Sequence, residues 1–345
     1  MAVPDIPCLK LHNGESMPAV GVGCWMGRVG EGDHVKTMIK HALELGYRHI
    51  DTVREHSGIL VSKNRNEKSV GEALCESNVP RKDIFITTKL ASEDHGRVSD
   101  ALDLSLGKLG IEYVDLYLMH WPQAFQETGR CLCSLTSNFS IFNFSSVQGE
   151  PFTPEESPTF VETWKSMEKL LLSGKTRSIG VSNFSVKTLT ALLQNAQVIP
   201  AANQVEMHPC LPQNSLLSFC RMHGIAVTAY SPIGKHKFAT DPGIIKIART
   251  KAVTEAQVIL SWGVQRGTAV IPKTEHGDRL KQNIQLVHLT TEEMGVLNNL
   301  HMQPGMHRSV CGFHSTEYRG SCFGWTYEQL GWDMVLGGIV PDHTV

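Results

Sequence analysis

The sequence predicts an α/β protein built as a (β/α)8 TIM barrel. Three observations support this prediction: eight short apolar segments rich in Val, Ile and Tyr, segments of helical periodicity between them, and a regular alternation of the two. Parallel strands joined by helices form right-handed crossovers, and eight such units close a barrel of about 250 residues. The 345-residue chain would then have about 95 residues left for loops and a tail.

An N-terminal hairpin is expected to close the bottom of the barrel, because residues 10–18, KLHNGESMP, contain an Asn-Gly turn. Helical spacing is clearest in residues 98–109, 160–174 and 254–265, which contain no proline. The predicted barrel strands are, in chain order, residues 19–23, 47–51, 84–88, 114–119, 178–181, 201–205, 226–230 and 269–272.

Two segments interrupt this order. Residues 53–65 and 123–155 have no clear periodicity, and loops of such length are usually functional lids or disordered segments. The tail, residues 302–345, is rich in Gly, His and aromatic residues and is expected to lie as a flap over the barrel. We interpret residues 1–345 as one domain that carries these two insertions.

A doubly wound Rossmann sheet is the alternative fold. Its dinucleotide-binding motif needs the spacing G-x-G-x-x-G after a strand and an acidic residue further on. Residues 21–27, GVGCWMG, lack that spacing, and no acidic residue follows at the proper distance. The barrel is therefore favoured.

Composition excludes several classes of function. The formal net charge is −2, so no electrostatic argument favours nucleic acid or an anionic membrane as a partner. The sequence has no run of about 18 apolar residues and no N-terminal signal pattern. Nine cysteines are an odd number, and Cys131 and Cys133 have no matching second pair. Thiols in a reducing cytoplasm are therefore expected, without disulfides or a bound metal.

Polar residues stand at the carboxyl ends of seven predicted strands. They are Asp51, Lys89, His120, Ser182 with Asn183, Gln204, Tyr230 with Ser231, and Lys273. Each alone has a structural explanation, such as a helix cap or a solvated lysine. Because these strand ends meet at one rim of a barrel, where active sites of this fold lie, the set predicts a functional site.

Six segments resemble the signature segments of the aldo-keto reductase family, in the family's order. They are GYRHIDT, LYLMHWP, IGVSNF, NQVEMHP, TAYSPIG and VIPKT. The resemblance covers nearly the whole chain apart from the two insertions. Residues 234–238, GKHKF, and residues 324–332, GWTYEQLGW, are most similar to the fungal glycerol-dehydrogenase and aldehyde-reductase branch.

The resemblance implies that an aldehyde or ketone is reduced by hydride transfer from NADPH. In the family a tyrosine protonates the carbonyl oxygen, a lysine makes that tyrosine more acidic, and an aspartate orients the lysine. The aspartate and the lysine match Asp51 and Lys89, and the histidine that binds the carbonyl oxygen matches His120. Trp25, His120 and Trp121 are the expected contacts of the small-molecule carbonyl substrate.

The resemblance also implies an NADP(H) site. It places Ser182, Asn183, Gln204 and Tyr230 at the nicotinamide, Ser231, Ile233 and Gly234 at the pyrophosphate, and Lys273, Thr274, Arg279 and Asn283 at the adenosine end. A solvated helix face is the alternative interpretation of Lys273 and Arg279. Since two cations suit a 2′-phosphate, NADPH is expected to bind more tightly than NADH.

The family's acid tyrosine is absent from its place. Counting five residues forward from Asp51 gives His56, and counting two residues back from Asn66 gives Asn64. His56 is a candidate acid because an imidazole titrates at about pH 6.5. A surface histidine in an inserted loop is the simpler interpretation of His56.

Other proton sources and other functions stay open. Tyr318 or Tyr327 of the tail, or a water held by His120, could donate the proton instead. A cytoplasmic, monomeric carbonyl reductase is the main hypothesis, and a catalytically impaired NADP(H)-binding homologue is the second. A barrel isomerase or lyase is disfavoured by the adenosine-end residues. Retained introns in a gene model would also explain unpatterned segments such as residues 53–65 and 131–148.

Overall fold

Eight parallel strands in sequential order form the central sheet. The computed structural model describes residues 6–25, 32–53, 66–126, 149–314 and 320–341. A parallel bridge between Val20 and Val270 joins the two outer strands, so the sheet closes on itself and confirms the predicted barrel. The strands are β3 (Val22–Gly23), β4 (His49–Asp51), β5 (Phe85–Leu90), β6 (Val114–Met119), β7 (Thr176–Ser182), β8 (Ala202–Glu206), β9 (Ala226–Tyr230) and β10 (Ala269–Val270).

The preceding hairpin pairs β1 (Cys8–Lys10) with β2 (Ser16–Pro18) in antiparallel register. Leu11 and Met17 are buried in one cluster with Leu116 and Leu118 of β6. The hairpin therefore fills the bottom of the barrel with apolar side chains, as the Asn-Gly turn predicted.

Helices separate the strands, and several of them begin at a residue whose side chain caps the first turn. Thr159 and Thr254 each form a capping box with the residue three positions later, Glu162 and Gln257. The helices are α1 (Gly32–Glu44), α2 (Asn66–Cys75), α3 (Val98–Leu109), α4 (Phe160–Leu170), α5 (Val186–Leu193), α6 (Asn214–Met222), α7 (Pro242–Lys251), α8 (Glu255–Gln265), α9 (Gly277–Asn283), α10 (Thr291–Asn298) and α11 (Tyr327–Leu330).

Several predicted bounds differ from the structure for local reasons. The helix predicted over residues 160–174 ends its α-helical part at Leu170, and a 3-10 turn follows up to Ser173. Gly174 then adopts a left-handed conformation with φ 71°, which terminates helices. The last barrel strand stops at Val270 and not at Pro272, because proline has no N–H for the strand ladder.

The tail crosses the rim of the barrel. Two short antiparallel strands, β11 (Ser321–Cys322) and β12 (Trp325–Thr326), lead into α11. Of the two insertions, residues 54–65 and 127–148 lie outside the described residues. Within the described ranges, no helix combines the length and the apolar character needed to span a bilayer.

Candidate active site

A buried ion pair lies at the carboxyl ends of β4 and β5. Lys89 Nζ donates to Asp51 Oδ1 at 2.7 Å and to the Thr52 carbonyl oxygen at 3.0 Å. The side chains of Lys89 and Asp51 are only 5% and 8% exposed. Gln204 Nε2, from β8, donates to the second carboxylate oxygen of Asp51 at 2.6 Å. The structure therefore brings three sequence-predicted residues together and satisfies the buried charges with hydrogen bonds.

The expected nicotinamide residues form a connected network beside this ion pair. Ser182 Oγ donates to the Gln204 carbonyl oxygen at 2.8 Å, and Asn183 Nδ2 donates to the His120 carbonyl oxygen at 3.0 Å. Tyr230 OH donates to Asn183 Oδ1 at 2.8 Å. Burial raises the pKa of Tyr230, so its hydroxyl stays protonated and keeps this bond. The Asn183 N–H also donates to the Gln204 carbonyl oxygen at 2.9 Å, so Asn183 links the ends of β6, β7, β8 and β9.

Backbone strain accompanies this network. Asn183 and Ser231 have φ angles of 65° and 49°, a left-handed conformation that non-glycine residues adopt mostly where the surrounding structure holds them. The hydrogen bonds of Asn183 supply that restraint. Such strain is common in ligand-binding sites.

Trp121 forms one wall next to His120. Its ring meets the rings of Phe313 and Phe323 edge-on, with centroids 5.3 and 4.8 Å apart. Trp332 lies at 6.0 Å. The tail, which was expected to lie as a flap over the barrel, therefore supplies aromatic rings to this wall. The third predicted substrate contact, Trp25, follows β3 and is 67% exposed.

Glu206 fastens the tail to the rim, a role that sequence reasoning missed. Its buried carboxylate accepts hydrogen bonds from Ser309 Oγ at 2.5 Å, from Val310 N at 2.7 Å and from His208 Nε2 at 2.9 Å. Burial by itself raises the pKa of Glu206, but the bonds from His208, Ser309 and Val310 outweigh burial and lower it to about 2. The carboxylate stays charged and holds the tail. A charged residue two positions after Gln204 in a buried strand was the available signal.

The expected pyrophosphate segment follows β9. Ser231 Oγ lies 3.8 Å from Cys311 Sγ of the tail, and Ile233 is partly buried. Gly234 has φ +61°, and a Cβ at this position would overlap the Phe238 ring. Glycine avoids both the overlap and the backbone strain of a positive φ, so the chain can turn tightly here and present its backbone to a ligand.

The expected adenosine end combines exposed cations with buried polar groups. Lys273 and Arg279 are exposed, whereas Thr274 and Asn283 are buried. Arg279 and Asn283 lie on α9, which starts four residues after Lys273. Two solvent-facing cations beside a pair of buried polar side chains fit the anionic and polar parts of a phosphorylated nucleotide.

Three of the described tyrosines have partners other than Lys89 and Asp51. Tyr47 OH donates to the Leu280 carbonyl oxygen at 2.9 Å. Arg81 stacks on the Tyr113 ring with its guanidinium carbon 4.1 Å from the centroid. Tyr327 OH lies 3.2 Å from His314 Nδ1. The remaining candidates, His56 and Tyr318, lie outside the described residues.

Comparison with known proteins identifies the family to which the chain is similar. The Aldo/keto reductase family model matches residues 19–301. The chain is 40% identical over 307 residues to the glycerol 2-dehydrogenase (NADP(+)) of Saccharomyces cerevisiae, covering 88% of this chain and 93% of that protein. It is 37% identical over 310 residues to the aldehyde reductase YPR1 of the same yeast, with the same coverage of 88% and 93%.

The solved structures agree with these relatives. An aldo-keto reductase of Bombyx mori, solved in complex with NADP, superposes with a TM-score of 0.76 at 31% identity and covers 94% of this chain and 99% of its own. The resemblance to the fungal branch and the barrel prediction are both confirmed. The chain therefore belongs to the aldo/keto reductase family and is an oxidoreductase of that type.

Proposed function

We propose that the protein reduces an aldehyde or ketone to the alcohol with NADPH as the hydride donor. The observation that supports this proposal most strongly is the buried group of Lys89, Asp51 and Gln204 at the barrel rim. A buried ammonium next to a polar rim can stabilise negative charge that develops on a carbonyl oxygen. Two relatives whose names describe glycerol 2-dehydrogenase (NADP(+)) and aldehyde reductase activities agree with this chemistry.

The residues of this chain bind, orient and shield the reactants. NADPH, when bound, supplies the hydride. Ser182, Asn183 and Gln204 would hold the carboxamide of the nicotinamide, and the Tyr230 ring would support the nicotinamide ring. His120 donates a hydrogen bond to the carbonyl oxygen of the substrate. Trp121 and the aromatic residues of the tail exclude water from the site. Because water screens charges, its exclusion strengthens the attraction between Lys89 and negative charge on the carbonyl oxygen.

The residues that would hold the pyrophosphate and the adenosine of the cofactor follow β9 in the chain. Ser231, Ile233 and Gly234 would hold the pyrophosphate, because a glycine at position 234 permits close approach of the backbone. The adenosine end takes the remaining predicted residues: Lys273, Thr274, Arg279 and Asn283. Lys273 and Arg279 neutralise the 2′-phosphate, because guanidinium and ammonium groups form strong charge-assisted bonds with it.

The proton source distinguishes an active reductase from an impaired homologue. No tyrosine follows Asp51 within the inserted loop, and loss of a general acid typically lowers the rate by about 10²–10⁴. The candidate donors are His56, Tyr318, Tyr327 and a water bound by His120. A catalytically impaired NADP(H)-binding homologue is the second candidate function, favoured by this missing tyrosine alone.

Steady-state oxidation of NADPH with a panel of aromatic and aliphatic aldehydes tests the proposal. We expect turnover with at least one aldehyde and formation of the matching alcohol. Tight NADPH binding without turnover on any member of the panel would favour the impaired homologue. Failure to bind NADPH would contradict both functions. A cytoplasmic location and a monomeric state complete the proposal.

NADPH is expected to bind at least tenfold more tightly than NADH, because only NADPH carries the 2′-phosphate. A tenfold ratio corresponds to about 1.4 kcal/mol, a modest value for charge-assisted bonds. Fluorescence titration of the wild type and of Arg279→Ala with both cofactors measures the ratio. The variant should lose most of the preference and keep its NADH affinity. Equal affinities of the wild type for the two cofactors would contradict the assignment of Lys273 and Arg279.

A further inference from the structure

A carboxylate occupies part of the expected 2′-phosphate site. Glu275 follows Thr274, and its Oε1 lies 2.5 Å from Lys273 Nζ. Its second oxygen lies 3.3 Å from His34 Nδ1 on α1. The side chains of Lys273 and Glu275 are each 30% exposed, so this ion pair faces the solvent from which a nucleotide would approach.

This arrangement affects the two nicotinamide cofactors differently. A 2′-phosphate that binds Lys273 must displace the Glu275 carboxylate or accept it as a close negative neighbour, and either costs binding free energy. NADH carries a 2′-hydroxyl instead, and a carboxylate near a ribose is a good acceptor for that hydroxyl. The Lys273–Glu275 pair therefore opposes the binding of NADPH without opposing the binding of NADH.

We propose that Glu275 is a specificity-determining residue that competes with the 2′-phosphate for Lys273 and so reduces the preference for NADPH. This inference rests on the proposed NADP(H) site. Lys273 is held by Glu275 in the cofactor-free protein and exchanges this partner for the phosphate on binding. The cofactor preference then depends on how strongly the Lys273 ammonium binds the 2′-phosphate compared with the Glu275 carboxylate.

The test measures binding alone, without turnover. Wild type, Glu275→Gln, Lys273→Ala and the double variant are titrated with NADPH, NADH and adenosine 2′-monophosphate by calorimetry. Glu15→Gln is the matched control, because it removes the same charge in the hairpin at the opposite end of the barrel, where Glu15 lies 3.8 Å from Arg177. Thermal melting of each variant verifies that it is folded.

Glu275→Gln should tighten NADPH and adenosine 2′-monophosphate by about threefold to tenfold, since the competing carboxylate becomes a neutral amide of the same shape. NADH should change by less than about twofold, and Glu15→Gln should change nothing. In the Lys273→Ala background, the effect of Glu275→Gln should disappear.

The outcomes that overturn the inference differ from those that overturn the site. If Lys273→Ala weakens NADPH but Glu275→Gln leaves it unchanged, the 2′-phosphate site stands and the competition by Glu275 is wrong. The same holds if Glu275→Gln tightens NADH as much as NADPH, or if its effect persists without Lys273. If Lys273→Ala leaves NADPH affinity unchanged, the proposed 2′-phosphate site itself is wrong.

Discussion

Asp51→Ala is expected to lower the free energy of unfolding by about 3–5 kcal/mol, because it leaves the buried Lys89 ammonium without its counter-charge. Gln204 Nε2 also loses its acceptor, and an unsatisfied buried donor adds to the cost. Urea denaturation of wild type and variant measures the difference. Any reductase activity should fall together with the stability, since Lys89 is no longer held at the rim.

An exposed ion pair provides the control. Lys175 Nζ lies 2.6 Å from Asp103 Oδ1, and the two side chains are 40% and 47% exposed. Asp103→Ala should cost at most about 1 kcal/mol, because solvent screens this pair. In the Asp51→Ala background, Lys89→Met should recover part of the lost stability by removing the unpaired charge. An unchanged unfolding curve for Asp51→Ala would mean that this pair is not buried as described.

A tyrosine placed where the family resemblance implies the acid is expected to raise kcat by about 10²–10⁴. The change replaces residues 53–65 with a short loop that carries tyrosine five residues after Asp51. The phenol would then donate the proton that hydride transfer to a carbonyl requires. NADPH affinity should change little, because the proposed cofactor residues follow β7 to β10. Steady-state kinetics with an aldehyde measure the gain in kcat, and the same loop with phenylalanine is the matched control.

A working His56 predicts a different pattern. His56→Ala would abolish activity, and the wild-type rate would fall above about pH 6.5, where an unperturbed imidazole loses its proton. If the wild type is already a fast reductase and His56→Ala stays fast, two hypotheses are wrong. The protein then does not lack a proton donor, and His56 is not that donor. The source would then be the tail or a water bound near His120.

The sequence alone was sufficient for the barrel and for most of its rim. Strand and helix periodicity are local, so β6, β9 and α3 could be predicted with their bounds from the residues themselves. Asp51, Lys89 and Gln204 could be grouped because parallel strands align their carboxyl ends in any barrel. The hairpin could be predicted from its Asn-Gly turn, because that signal also lies within a few residues.

Only the tertiary structure decided how the tail completes the site. Glu206 bonds Ser309 and Val310 across 103 and 104 residues of chain, and Trp121 packs against Phe313 and Phe323 from the same tail. These contacts carry no periodic signal. Lys273 and Glu275 are close in sequence, but both side chains are long and rotatable. Their sequence positions alone therefore do not show that the two charges meet. Patterns along the chain determine the elements, whereas side-chain partners depend on how distant elements pack, which no local pattern encodes.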